Sequence, residues 1–428
     1  MTAEVAIANA GAVALAADSA VTIGGQKIYN SALKLFALSK VAPVGIMIYG
    51  NAGLMNVPWE TLIKSYRKDL GDQCFSSLVE YASGFIEYLN KHPSAFPEES
   101  QTDWLKGNTI GYFKLIRQEF LDEIHPILKA KGEIEANTVT EIFSRVVKEH
   151  HEVLSKEEYA DDMSDDTFKI IREKYKSLFK ELRREIFEEV KISAAIAAKL
   201  NDIATFLHVK QVFSTGVSGL VVAGYGEAEL YPSIATYEIE GVIENQLKYR
   251  KNLDKCHKIN AGMECRIIAF AQEDMVTTFM NGINPTVLEL LHGYLTQLFE
   301  RLPELLDKDK TDSGERKKFT EKSSKLLMGF FEELSNHIQG EHAHPVLRMV
   351  TVLPKDELAA MAEALVNLTA FKRRITESME TVGGPIDVVV ISKGDGLVWV
   401  KRKHYFPPEL NQHFFKNYFR GITHDKQK

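Results

Sequence analysis

Two short runs of small apolar residues, Val5-Ala6-Ile7-Ala8 and Ala12-Val13-Ala14-Leu15-Ala16, flank Asn9-Ala10-Gly11. Short apolar runs bounded by turn residues read as strands, and two this close read as an antiparallel hairpin. The same stretch is apolar enough to suggest a secretory leader. It lacks a preceding Lys or Arg and carries Glu4 instead, so it is read as part of the fold. A further turn is expected at Gly24-Gly25 and a buried strand from Val44 to Tyr49, which makes residues 3–53 β-rich.

From about residue 54 to 210 the pattern becomes helical and heavily charged. Phe168, Ile171, Tyr175, Leu178, Leu182, Ile186 and Val190 recur at steps of three and four, behind a Ser164-Asp165-Asp166 cap. Strand character returns at Gly219–Gly224 and around Cys265 to Phe270. Helices resume over about 286–375, interrupted by a polar stretch, Asp307 to Lys318, read as an exposed loop. A closing hairpin pairs Ile386–Ile391 with Leu397–Val400 across Ser392-Lys393-Gly394-Asp395-Gly396. Blocks of strands separated by blocks of helices indicate an α+β protein, not alternating βαβ units.

Composition removes several function classes. With 45% hydrophobic and 26% charged residues in 428, the chain is globular throughout. Its 52 Lys+Arg against 59 Asp+Glu leave a net charge of −7, without the basic excess that nucleic acid demands. Three cysteines fit a reducing compartment, here the cytoplasm, and no apolar run is long enough to span a bilayer. No phosphate-cradling glycine motif is present, so no nucleotide cofactor is expected, and any use of ATP would belong to a partner.

The β-rich start also places chemistry. Pairing centred on residue 10 puts Thr2 opposite Asp18, and a second reversal near Gln26 puts Asp18 level with Lys34. Both separations are even, so a hydroxyl, a carboxylate and an ammonium would share one face of three neighbouring strands. Methionine is trimmed before a small residue, which would free the Thr2 α-amine. Such an amine titrates near neutrality (roughly pH 8) and can serve as a base for its own hydroxyl. Lys34 beside it would lower the amine pKa and favour the alkoxide, and Asp18 would orient Lys34. The same residues also fit a plain terminal strand followed by a structural ion pair.

Thr2 before a short strand, then Ala16-Ala17-Asp18-Ser19-Ala20-Val21-Thr22 and Lys34, resembles the start of proteasome β-subunits and their bacterial ring-peptidase relatives, which are N-terminal-nucleophile hydrolases. Gly50-Asn51-Ala52-Gly53 resembles the turn that opens that family's first helix. Val222-Ala223-Gly224-Tyr225 with Ile239-Glu240-Gly241 resembles its central hairpin, and Gly383-Gly384-Pro385-Ile386-Asp387-Val388 its last strands. The resemblance implies a four-layer αββα sandwich with two helical insertions. Its core would be residues 2–70, 205–285 and 350–405, the insertions 71–204 and 286–349, and 406–428 an aromatic tail.

The resemblance further implies Thr2 as nucleophile, Asp18 and Lys34 as supporting charges, and the Gly50 amide as oxyanion donor. Ala32, Ile48 and Ala52 would fall on a first specificity pocket that favours an apolar or aromatic side chain. Threonine-type hydrolysis of a peptide or protein substrate follows, in a ring-like homo-oligomer that could serve an ATP-dependent unfoldase. A silent structural or binding member, or an amidase acting on a small metabolite, is the alternative.

Departures from the family pattern are visible too. Ala269-Phe270-Ala271-Gln272-Glu273-Asp274 replaces a turn that carries a supporting serine, and Met379 and Val382 replace an Asp and a Ser. Glu341-His342-Ala343-His344 reads as a surface loop, Cys265 as core, and Glu149-His150-His151-Glu152 lacks the i, i+4 histidine pair of a zinc protease. No metal site is expected.

Overall fold

The computed structural model describes residues 2–23, 27–188, 190–262, 264–306, 313–376 and 382–419. It is a mixed α+β structure with antiparallel sheets, and it divides into two compact units. The first comprises residues 1–35, 230–232 and 258–428, the second 36–229 and 233–257.

The first unit is built on a five-stranded antiparallel sheet. Its order is Arg266–Ala271, Ala3–Ala8, Val13–Ala17, Asp387–Ser392, Gly396–Lys401. The opening hairpin thus lies at its centre, which is why all eleven of its strand residues are buried. Ala3, Val5, Ile7, Ala14 and Ala16 point to one face and pack against Leu358, Ala362, Leu365 and Val366 of the helix Lys355–Ile375. Alanine on the strand side lets that helix approach closely, and period-2 alternation then sends Thr2 and Glu4 to the opposite face. Val382, which the resemblance set against a serine, is part of this core. Met379, which it set against an Asp, lies outside the described residues.

The second unit carries an antiparallel ladder of Gln246–Lys251, Ser233–Ile243, Ser218–Gly224 and Val44–Gly50. The helix Leu78–Asn90, closed by a Ser77/Glu80 capping box, covers it. The helices Glu98–Lys131, Ala136–Lys156, Asp165–Lys174, Lys176–Ile186 and Ala194–Val209 enclose their own core, centred on Leu105, Phe113, Phe143, Phe179 and Leu200.

Four sequence expectations need correction. The long amphipathic pattern from Phe168 is two helices, broken at Tyr175 (φ −97°, ψ 10°). The Tyr175 hydroxyl donates to Glu244 Oε1 at 2.8 Å, and one non-helical residue leaves the three-and-four spacing undisturbed. The expected cap is present, with Ser164 Oγ accepting from Thr167 N. Residues 313–318 of the supposed loop begin the helix Ser313–Ile338. The turn after Gly50 does not open a helix directly, because a two-residue ladder, Gly53–Leu54 with Val57–Pro58, precedes the helix Trp59–Leu70. Glu341-His342-Ala343 likewise belongs to a π-helical turn leading into the helix His344–Val352.

Gly224 shows how tightly the second ladder is set. Its φ is +137°, and a Cβ there would lie 2.0 Å from the Pro43 carbonyl oxygen, which already accepts from Tyr225 N at 3.0 Å. Gly224→Ala therefore meets both a disfavoured backbone region and a backbone atom that cannot swing away. A loss of at least about 2 kcal/mol is expected in urea unfolding, whereas Gly111→Ala, in open space on a helix, should cost nothing or stabilise.

Candidate active site

Asp18 is the residue that fixes the site in the first unit. Its Oδ1 accepts from Ala3 N at 3.1 Å and from Lys34 Nζ, while Oδ2 accepts from Ala20 N at 3.2 Å and Gly383 N at 2.9 Å. Its own amide donates to Ala3 O at 3.1 Å. One side chain thereby ties the first strand, the segment after the second, and the Gly383-Gly384 turn together. Ser19 reinforces the closure through its Oγ to Pro385 O and its N to Gly383 O at 3.1 Å, and its carbonyl accepts from Ala32 N at 3.1 Å.

Thr2, Asp18 and Lys34 are thus gathered in one buried place, but not by the register expected from the sequence. The hairpin pairs Glu4 with Ala17, so Ala3 and not Thr2 opposes Asp18. The cause is the loop, where Asn9 Oδ1 accepts from Gly11 N and Ala12 N, giving a four-residue connection with an off-centre pivot. The second reversal is also shifted, pairing Val21 with Tyr29 in a separate two-stranded sheet. Lys34 lies in the irregular segment that follows, and its long side chain makes up the difference.

Three further charged groups, Glu4, Asp387 and Lys403, complete the cluster. Glu4, two residues from Thr2 on the same strand face, is only 1% exposed and sits 3.1 Å from Lys34 Nζ. Asp387, buried beside Ala17, holds Lys403 through both its oxygens, from Lys403 N at 2.8 Å and from Nζ. Burial pulls the Lys403 ammonium below the usual lysine range, with Lys34 adding to the effect and Asp387 opposing it. Three carboxylates therefore meet two ammoniums. Asp387 was legible in the Gly383–Val388 motif. Glu4 stood out only as an odd charge in an apolar run, the signal that could have found it.

Glu4 is the member left short. Asp18 accepts four hydrogen bonds, yet neither Glu4 oxygen completes a well-angled one, although Lys34 and the Thr2 side chain both face it. Burial pushes Glu4 up to about 7, with the Lys34 charge opposing and Asp18 adding. On the side of Thr2 away from the hairpin, Ala271 opposes Ala3, so Gln272 follows on beside Thr2. Gln272 is buried and its Oε1 accepts from Arg373 Nε at 2.6 Å.

The remaining expected residues are placed as follows. Ala32 is half-buried in the first unit. Gly50 (φ +79°), buried Ile48 and exposed Ala52 belong to the second unit, at the end of the Val44–Gly50 strand. Cys265 is buried and donates to Leu347 O, and His150 and His151 on the helix Ala136–Lys156 face Glu119 and Asp202 on two neighbouring helices. Among the described residues no group of three or more His, Cys, Asp or Glu is placed to hold a metal ion. No helix among them is long and apolar enough to cross a membrane.

No protein-family model matches the chain, and no curated protein matches it in sequence. Among solved structures it aligns with Anbu (ancestral beta-subunit) from Yersinia bercovieri at 9% identity, over 99% of this chain and 97% of that one, with a TM-score of 0.29. It also aligns with a Gly-1 mutant of Anbu from Hyphomicrobium sp. strain MC1 at 8% identity, over 100% and 99%, TM-score 0.29. A third is the helical assembly of the Anbu complex from Pseudomonas aeruginosa, at 10% identity, over 98% and 95%, TM-score 0.28. What the chain does is therefore argued from its own residues.

The elevated Glu4 has a consequence for stability. A carboxyl whose pKa is higher in the fold than in the unfolded chain binds its proton more tightly in the fold. Stability is then greatest below about pH 4.5 for this group and falls as pH rises through about 7. Glu4→Gln removes that dependence. Near pH 8 the variant should be more stable than the parent, by up to about 3 kcal/mol, and the gap should close near pH 4, as measured by urea unfolding at each pH.

Proposed function

We propose that this protein is a threonine-type N-terminal-nucleophile hydrolase that cleaves peptide or amide bonds through Thr2. The observation that carries the reading is the burial of Thr2, 4% exposed, on the same strand face as Glu4, which sits 3.1 Å from a Lys34 ammonium that Asp18 clamps. A buried threonine hydroxyl next to a fixed positive charge is a nucleophile whose alkoxide is stabilised electrostatically. Removal of Met1 would add an α-amine that can take the hydroxyl proton.

The reaction follows from that arrangement. Thr2 Oγ adds to the scissile carbonyl carbon and its proton passes to the base. The C–N bond then breaks as the proton is handed to the leaving amine, and water resolves the acyl-threonine by the reverse sequence. In this reading Lys34, held by Asp18, stabilises the charge that develops on Oγ. The resemblance extends the reading to a four-layer αββα domain whose helical stretches at 71–204 and 286–349 are insertions, with self-assembly as a ring-like homo-oligomer. It also extends to Gly50 as oxyanion donor and to Ala32, Ile48 and Ala52 as pocket residues. The second reading, a silent binding member of the same fold, is favoured by Gln272 standing where the serine should be.

Intact mass with a peptide epoxyketone tests the proposal, since that warhead requires both the threonine hydroxyl and the free α-amine. The expected product lacks Met1 and gains one inhibitor per chain, and Thr2→Ala gains none. A chain that keeps Met1, or an adduct that survives Thr2→Ala, would contradict the proposal.

A further inference from the structure

Glu4 is a buried acid that the mechanism above does not use, and it lies against both groups that the mechanism does use. It shares a strand face with Thr2, and its side chain is fully buried. Lys34 Nζ is 3.1 Å away, and the Thr2 side chain faces the same carboxyl. Asp18 has four donors of its own, so its charge is met by Lys34 and three backbone amides without help from Glu4. A carboxyl kept at this depth without a well-formed hydrogen bond destabilises the fold and keeps lone pairs able to accept a proton.

We propose that Glu4 is a second proton acceptor for the Thr2 hydroxyl, acting on Oγ directly and independently of the terminal amine. The inference rests on Thr2 being the nucleophile. As Oγ bonds to the carbonyl carbon, its hydrogen transfers to a Glu4 oxygen, converting carboxylate to carboxylic acid. The same proton leaves with the departing amine when the C–N bond breaks. Water then repeats the exchange, returning its proton through Glu4 to Thr2 Oγ, so charge and atoms balance with no further reactant.

The surroundings suit such a role. The groups that bear on Glu4 are Lys34 and Asp18, with Asp387 and Lys403 as the next pair and the freed α-amine as a third basic group. Glu4 titrates at about 7, where a base is half available at neutral pH and returns its proton readily. Lys34, 3.1 Å away, gains a second carboxylate partner once Glu4 has lost its proton.

The test uses the full-length protein and p-nitrophenyl acetate, an activated ester whose leaving group needs no proton. Acylation then reports proton removal from Thr2 alone. The first-turnover rate is followed from about pH 5 to 9, with peptide mapping to locate the acetyl group. The wild type should acylate at Thr2 with an acid limb near pH 7. Glu4→Gln, which keeps the shape and relieves the buried charge, should acylate about a hundredfold more slowly or worse and lose that limb. Glu4→Asp should retain the limb at a reduced rate.

If Glu4→Gln acylates Thr2 within twofold of wild type and keeps its acid limb, Glu4 takes no proton and the inference falls while Thr2 stands. If the wild type is not acetylated at Thr2, or Thr2→Ala is acetylated equally fast elsewhere, both readings fall.

Discussion

The Lys34 ammonium sits between two buried carboxylates, clamped by Asp18 and 3.1 Å from Glu4. Burial of a charge is tolerated only when partners replace the lost water, and here one cation compensates two anions. Asp18 in turn spends its remaining lone pairs on the amides of Ala3, Ala20 and Gly383. The position of Lys34 therefore fixes Asp18, and Asp18 fixes three backbone segments that are far apart in sequence. The place of Thr2 in the first unit is a result of that chain of contacts.

The named buried groups hold one more carboxyl than ammonium. A cluster with equal numbers of carboxylates and ammoniums would be inert to pH near neutrality. Burial above all, with Lys34 opposing and Asp18 adding, pushes Glu4 up to about 7. The fold loses stability between about pH 4.5 and 7 as Glu4 gives up its proton. Gln272 fits the same picture, since its amide adds hydrogen bonding through Arg373 but no charge.

Much of this was legible in the sequence, and the part that was not has a physical explanation. The two apolar runs around Asn9-Ala10-Gly11 declare a hairpin, and the hairpin is central in its sheet. Asp18 and Lys34 could be matched to Thr2 by parity and by resemblance. The parity was wrong by one residue because Asn9 widened the loop through a side-chain bond that no pattern of hydrophobicity records. The residues still met because Asp18 lies just past the end of its strand and Lys34 has four methylenes of reach. Glu4 was hidden for the opposite reason. A single charge in a buried strand looks like noise until the structure shows which cation it faces. The break at Tyr175 was invisible because one residue of irregular backbone preserves helical spacing.

The central claim is that Lys34 is the compensating charge on which this arrangement depends, and urea unfolding of Lys34→Met near pH 8, alone and combined with Glu4→Gln, tests it most directly. Removing the cation strands two buried carboxylates, so the single variant should lose about 3–5 kcal/mol. Neutralising one of them should restore part of that loss, giving a favourable coupling between the two sites. A single variant within about 1 kcal/mol of the parent, or a double variant no more stable than the single, would contradict the account.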